Sequence, residues 1–312
     1  MILLVGAGTM AKDYAKVLQA QNQNFIVIGR GTKSADIFFK ETGINVETGG
    51  LEHFLTKNQL QISQAIIAVG VEQLFSAASL LIKHGIRRIL IEKPAGLTLD
   101  DIASLHQQAE HQGAEIFVAY NRRFYSSVEK ALEIIEEDGG VQSFNFEITE
   151  WGHVIAPLSK AEGVKENWFL GNTTHVVDLA FFLGGTPKDF NCYTSGSLDW
   201  HTRSSSFAGA GICDNGALFC YHGNWSAPGR WSVEMLTREH RLIFRPMEKL
   251  QIQKLGSVAQ EFIEISDKLD VEYKPGLFKQ VQAFLSDIEK DKLCPLSQHL
   301  KNARIYAKMA GY

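Results

Sequence analysis

Five short apolar runs rich in β-branched residues, ILLVG, NFIVIG, QAIIAVG, RRILIE and EIFVAY, alternate with longer amphipathic stretches over the first third of the chain. Runs of this length without polar alternation read as strands buried on both faces. The helical stretches between them, Met10 to Gln21, Glu72 to His84 and Leu99 to Gln112, force crossover connections, so residues 1–119 are predicted to form a doubly wound parallel sheet of the Rossmann type. After Tyr120 the pattern changes. A helical stretch from Ser126 to Glu137 ends at Gly139-Gly140, and alternating runs follow, with Asp214-Asn215-Gly216 between FAGAGI and ALFCYHG as a hairpin signal. Residues 120–312 are therefore expected to form an α+β domain with a large, mostly antiparallel open sheet. The closing helical regions, Leu277 to Lys290 and Leu296 to Ala310, are expected at its end or packed back on the first domain. The fold class as a whole is α/β.

At 312 residues, 45% hydrophobic and 21% charged, the chain has material for two ordinary cores. A net charge of -4 with no cluster of Lys or Arg supplies no field for a phosphate backbone, so nucleic acid is not an expected partner. The leading MILLVG is too short for a signal-peptide core or a bilayer span, which points to a cytoplasmic protein without a membrane partner. Cys192, Cys213, Cys220 and Cys294 show neither CxxC pairing nor His at zinc-ligand spacing, so free thiols and no metal are expected.

Gly6-Ala7-Gly8-Thr9-Met10-Ala11 follows the first strand and opens a helix. In that context glycines allow a tight turn and a close approach of backbone to a pyrophosphate at the helix N-terminus. The end of the second strand, where an acid usually binds a ribose 2'-hydroxyl, reads Ile28-Gly29-Arg30-Gly31-Thr32-Lys33-Ser34. Arg30, Lys33 and Ser34 suit a 2'-phosphate instead, so NADP is the expected cofactor. NAD stays possible, because Arg30 and Lys33 can be solvated loop charges and arginine also stacks on adenine. Ala68 and Val69, ending the third apolar run, complete the expected edge of the nucleotide site.

Glu92-Lys93-Pro94 places a lysine and a rigid proline at the C-terminal end of a parallel strand, where doubly wound folds bind ligands. With the glycine turn, this EKP run resembles the glucose-fructose oxidoreductase, inositol dehydrogenase and MocA family, and Tyr120-Asn121-Arg122-Arg123-Phe124 looks like that family's next motif. The resemblance runs in order along essentially the whole chain. It implies that Lys93 lies beside the reacting carbon and takes part in proton transfer, that Pro94 takes a cis bond, and that Glu92, Pro94 and Arg122 border the cofactor. Desolvation beside a nicotinamide would draw a lysine pKa towards neutrality, as acid-base work requires. The other reading of Lys93 is an ion pair with Glu92 at a strand end.

Further on, Asn172 or Thr173 is expected to cap a helix that places His175 in its first turn, where the dipole disfavours the imidazolium. The family has a catalytic histidine at this place, which makes His175 the second expected catalytic residue; a core histidine satisfied by Asp178 is the alternative. Many members carry an Asp four residues before it, and here that residue is Gly171. Substrate contacts are expected from Lys93, Asn121, Arg123, Trp151, Trp168, Asn172 and His175, a polar and aromatic set suited to a hydroxylated ring. The expected activity is NAD(P)-dependent hydride transfer between nicotinamide and a secondary alcohol or ketone of a sugar, cyclitol or sugar nucleotide. A non-catalytic, cofactor-binding sensor or partner-binding protein of the same fold is the rival. A meander carrying Asn145, Glu147, Cys192, Phe219, Tyr221, Trp231 and Met235 is expected to leave one sheet face uncovered, closed by a homodimer or homotetramer.

Overall fold

Strand ends drawn to one level organise the first part of the chain. In a computed structural model that describes residues 1–58 and 61–312, β1 (Ile2–Val5), β2 (Phe25–Ile28), β3 (Val46–Glu47), β4 (Gln64–Ile67), β5 (Arg88–Glu92) and β6 (Glu115–Ala119) are parallel, in the order β3-β2-β1-β4-β5-β6. Val5 pairs with both Ile28 and Ile67, Ile67 with Ile91, and Glu92 with Ala119, so the C-terminal ends of five strands share one edge. Helices Thr9–Ala20, Thr32–Thr42, Leu51–Lys57, Val71–Lys83 and Leu99–Gln112 make the crossovers. Thr32–Thr42, β3 and Leu51–Lys57 went unpredicted. The first of these helices buries only Ala35 and Phe38 and leaves Ile37 and Phe39 exposed, so its apolar period is faint.

The chain divides into two compact units, residues 1–121 with 272–301, and residues 122–271 with 302–312. Residues 272–301 thus return to the first unit, where helix Leu277–Ser286 packs on Thr9–Ala20. In the second unit β7 (Ser143–Glu147), β8 (Pro187–Ser195), β9 (Ser206–Cys213), β10 (Leu218–Asn224), β11 (Ser232–Leu236), β12 (His240–Phe244), β13 (Gln251–Lys254) and β14 (Glu261–Phe262) form one sheet, ordered β14-β13-β12-β11-β7-β10-β9-β8. All its pairs are antiparallel except β7 with β10. In the first unit β15 (Cys294–Pro295) adds an antiparallel edge to β6.

Helix Thr174–Gly184 covers one face of the large sheet and is buried almost all round. Phe181 meets Phe219 edge-on at 5.1 Å and Phe146 at 5.5 Å. Gly184 permits the approach, since a Cβ there would lie 2.3 Å from the Phe144 ring. Strand period decides which residues that helix hides. Phe219, Tyr221 and Met235, with Trp231 just before β11, are on the covered side, where Cys192 also donates to the Lys308 carbonyl, whereas Asn145 and Glu147 pair in register with Cys220 and His222 of the other face. The residues expected to form one uncovered face are thus divided between two. The open face carries Leu218 and Tyr193, 59% and 73% exposed, with Ile212.

A buried ion pair ties the start of the second unit to that helix. Arg123 donates through Nε and Nη2 to the two Asp178 oxygens at 2.7 and 2.6 Å, with side chains only 2% and 1% exposed, and Tyr306 donates to the same carboxylate at 3.4 Å. The guanidinium also covers the Phe182 ring at 4.8 Å. Arg123, expected to hold substrate, is instead committed to the core. Its removal leaves a carboxylate buried without its cation, so Arg123→Ala is expected to lose about 3–5 kcal/mol of stability. Joint replacement as Arg123→Met with Asp178→Leu is expected to recover most of that loss. Urea unfolding midpoints measure both, and an unchanged midpoint in the single variant would contradict the assignment.

Candidate active site

The turn after β1 leaves no room for a side chain. Gly6 has φ +125° and a Cβ there would lie 2.2 Å from the Ala68 carbonyl oxygen, where Ala68 N–H returns a 2.8 Å bond to Val5. Helix Thr9–Ala20 then starts at Gly8 with neither a capping side chain nor an acid in its first turn. Its unsatisfied N–H groups therefore face the space in front of it, the arrangement that receives a phosphate.

That space is a cavity of about 910 Å³ lined by Gly6, Gly8, Thr9, Met10, Arg30, Ser34, Ala68 and Val69 among others. Of the expected cofactor residues, Ala11 is buried within the helix packing and Lys33 is exposed and outside the lining. Ser34 spends its hydroxyl proton on the Gly31 carbonyl at 3.0 Å. At Gly29, at the end of β2, a Cβ would meet Val46 at 2.8 Å and Ala7 at 3.3 Å, so the position is crowded for any side chain. The lining does include one carboxylate, Glu52, which sequence reading passed over because it sits on a helix without a clear apolar period.

At the same strand edge, Glu92 closes β5 and Lys93 follows it, half-buried, with a cis bond to Pro94. Glu92 accepts from the Tyr14 hydroxyl at 2.8 Å. Burial raises the pKa of both, against the opposing pull of Lys93 on the carboxyl. Pro94 is held from behind: its carbonyl accepts from Nε2 of the buried His299 at 2.9 Å, which leaves Nδ1 to receive the Tyr120 hydroxyl at 3.3 Å. Lys274 reaches Met10 Sδ at 2.8 Å and pairs with Asp13 at 3.6 Å. Asn121, expected at the substrate, gives its amide to the Pro275 carbonyl at 2.9 Å. Tyr14, Lys274 and His299 were invisible in sequence because up to 264 residues separate them from their partners.

In the second unit a π turn, Phe169–Thr173, runs straight into helix Thr174–Gly184. The expected cap is absent: Thr173 has helical φ and ψ, and neither Asn172 nor Thr173 caps the helix. Both turn instead to Glu150, whose buried carboxylate accepts from Asn172 at 2.9 Å and from Thr173 at 2.7 Å. His175 consequently sits inside a continuous helical run rather than at a free N-terminus, and the dipole contribution expected there is reduced. Asp178, the alternative partner for His175, is occupied by Arg123. The His175 ring packs 6.3 Å from Trp231. Arg122 lies in this unit with its guanidinium over Trp231 and Tyr125 at 5.1 and 5.9 Å, and burial lowers its pKa. Trp151 is 47% exposed and donates to the Gly229 carbonyl at 2.9 Å, while Trp168 stands edge-on to Trp200 at 6.0 Å. Among the described residues no group of His, Cys, Asp or Glu could hold a metal ion, and no helix is long and apolar enough to cross a membrane.

Comparison with known proteins agrees with this geometry. Residues 1–120 match the family model described as oxidoreductase family, NAD-binding Rossmann fold, of the Gfo/Idh/MocA group. A curated relative, trans-1,2-dihydrobenzene-1,2-diol dehydrogenase of Mus musculus, is 24% identical over 162 residues, 51% of this chain, and the match spans about half (47%) of that relative's length. Among solved structures, levoglucosan dehydrogenase in complex with NADH superposes with a TM-score of 0.79 at 17% identity, covering 99% of this chain and 95% of the other. UDP-N-acetylglucosamine 3-dehydrogenase from Acidithiobacillus ferrooxidans gives 0.75 at 13%, with the same coverage, and an NAD binding oxidoreductase from Klebsiella pneumoniae 0.76 at 15%, again covering 99% and 95%. At such identities the superpositions establish the fold. The glycine turn and the strand edge are those of a Rossmann fold, and over residues 1–120 the chain is similar to the NAD-binding Rossmann fold of the Gfo/Idh/MocA oxidoreductase family.

Proposed function

We propose that the protein is an NAD(P)-dependent oxidoreductase acting on a secondary alcohol or ketone of a sugar, cyclitol or sugar nucleotide. The observation that carries this reading is the cavity in front of an uncapped helix, walled by a glycine that no other residue can replace, with Lys93 following a strand that ends on the same edge. The nicotinamide group, when bound, supplies or takes the hydride. Lys93 holds the reacting oxygen and carries its proton; the His299 and Tyr14 contacts keep the Lys93–Pro94 turn and Glu92 in place behind it. His175 is the second proton-handling group, and Trp151, Trp168 and Asn172 are its companions at the substrate. The absence of an acid at Gly171 favours the alternative of a non-catalytic, cofactor-dependent sensor. Glu150 weighs against it, since it restores a carboxylate to the same turn.

Lys93→Met is expected to lower turnover about 100-fold or more with NADPH affinity nearly intact. His175→Ala is expected to depress turnover and to flatten the limb of the pH-rate profile that reports a group titrating near neutrality. Steady-state assays at the nicotinamide wavelength with a panel of ketosugars and polyols test both, and full activity in Lys93→Met would remove it from the mechanism.

For the cofactor, Arg30 in the lining and the acid-free first turn of Thr32–Thr42 favour a 2'-phosphate. Glu52 in the same lining favours the 2'-hydroxyl of NAD as a second reading. NADPH is expected to bind more tightly than NADH, and Arg30→Ala to narrow the gap, one charge-assisted contact being worth about 1.5–3 kcal/mol. Calorimetric titration decides: equal affinities in the wild type, or a loss of NADH binding in Glu52→Gln, would move the assignment to NAD.

The protein is further expected to self-associate through the open sheet face. Leu218→Lys with Tyr193→Lys should shift sedimentation towards the single chain, and a wild type already at that mass at every concentration would refute this.

A further inference from the structure

The second unit contains another cavity, of about 850 Å³, whose lining includes Trp151, Gly152, His153, Asp199, Trp200 and Trp225. Its size falls in the range of small-molecule sites. Its walls are built rather than incidental. Trp200 lies parallel on the buried Trp225, 5.6 Å away and 4° from coplanar. Behind them Trp225 packs on His201 at 4.8 Å. That ring is fully buried and fixed by Ser204 O at 2.6 Å and the Tyr312 hydroxyl at 2.8 Å. Gly152 brings the opposite wall into contact, since a Cβ there would lie 2.3 Å from the Trp225 carbonyl oxygen. Trp151 spends its only donor on Gly229, which holds the plane of an indole that is nevertheless 47% exposed.

Rigid indole faces with hydroxyl-binding groups beside them in the lining suit the CH faces and hydroxyls of a pyranose. No Lys or Arg belongs to the lining, Asp199 is its one carboxylate, and the nearby Arg230 is engaged on the Trp151 ring outside it, so the site favours an uncharged ring over a phosphorylated one. It is also joined to the proposed chemistry within the same unit. Arg230 lies over Trp151 at 4.8 Å and over Trp231 at 4.9 Å, and Trp231 is the ring beside His175.

We infer that this cavity is a second saccharide subsite, so that the substrate is a glycoside or disaccharide whose reacting ring is handled at His175 while a neighbouring uncharged pyranose rests on Trp151 and Trp200. The inference rests on the sugar-oxidoreductase reading above. Its test needs no turnover, which keeps the two separable.

Saturation-transfer NMR on the full chain, with maltose, cellobiose, methyl β-D-glucopyranoside and glucose 6-phosphate as probes, is expected to show transfer from aromatic protons to the ring CH groups of the neutral sugars. The signal should exceed that of the phosphate and fall about two- to tenfold in Trp151→Ala and in Trp200→Leu, the range that loss of one aromatic face implies. Trp151→Phe keeps an aromatic face and should retain most of it, and a wild-type far-ultraviolet circular dichroism spectrum and urea unfolding midpoint verify that each variant is folded. Absence of transfer from every neutral probe, stronger transfer to glucose 6-phosphate, or signals that survive both Trp151→Ala and Trp200→Leu would overturn the subsite. Failure of hydride transfer with every sugar alongside tryptophan-dependent binding would overturn the enzymatic reading and leave the subsite standing.

Discussion

At residue 6 the backbone passes so near β4 that a methyl group would lie 2.2 Å from the Ala68 carbonyl oxygen. A strand can leave the sheet and turn into a helix at that distance only if the residue has no side chain and accepts a positive φ. Because the turn is that tight, the helix starts directly over the end of β1, its N–H groups open onto the cavity, and the parallel register brings the ends of β2, β4, β5 and β6 to the same edge. Lys93 then needs no special device to lie on the ligand-binding side. It follows a strand whose end is already there.

Support for that edge comes from residues distant in sequence. His299, on the closing helix, uses one ring nitrogen on Pro94 and the other on Tyr120, so two of the turns beside the site share one buried imidazole. Tyr14 satisfies Glu92, and without a donor a half-buried carboxyl next to Lys93 would be costly to keep ionised. Return of residues 272–301 to the first unit is therefore part of how the site is stiffened, in addition to extending the sheet through β15.

In the second unit polar groups are divided by burial. Arg123 and Arg122 are adjacent in sequence, yet one is neutralised in the core by Asp178 and the other lies across Trp231 and Tyr125. The π turn adds a residue to the helix and redirects Asn172 and Thr173 to Glu150, so a carboxylate reaches this turn from the segment after β7 rather than from the helix itself.

Local signals were enough for the parts of this protein whose chemistry is local. The Gly6–Ala11 turn, the buried parallel strands, the helix Ser126–Glu137 and the hairpin at Asp214–Gly216 follow from steric freedom and apolar period within a dozen residues, and they were legible at once. Lys93, at a strand end, was legible for the same reason. The faces of the large sheet were not: a one-residue offset exchanges the covered and open sides, and only packing of helix Thr174–Gly184 decides which residues it hides. Nor could the chain's order of residues show that Arg123 belongs to Asp178, Asn172 to Glu150, His299 to Pro94 or Trp200 to Trp225. Each of these pairs joins different elements of the chain, where burial removes water as a competing partner and a complementary group that the fold brings close satisfies the buried donor or covers the buried ring.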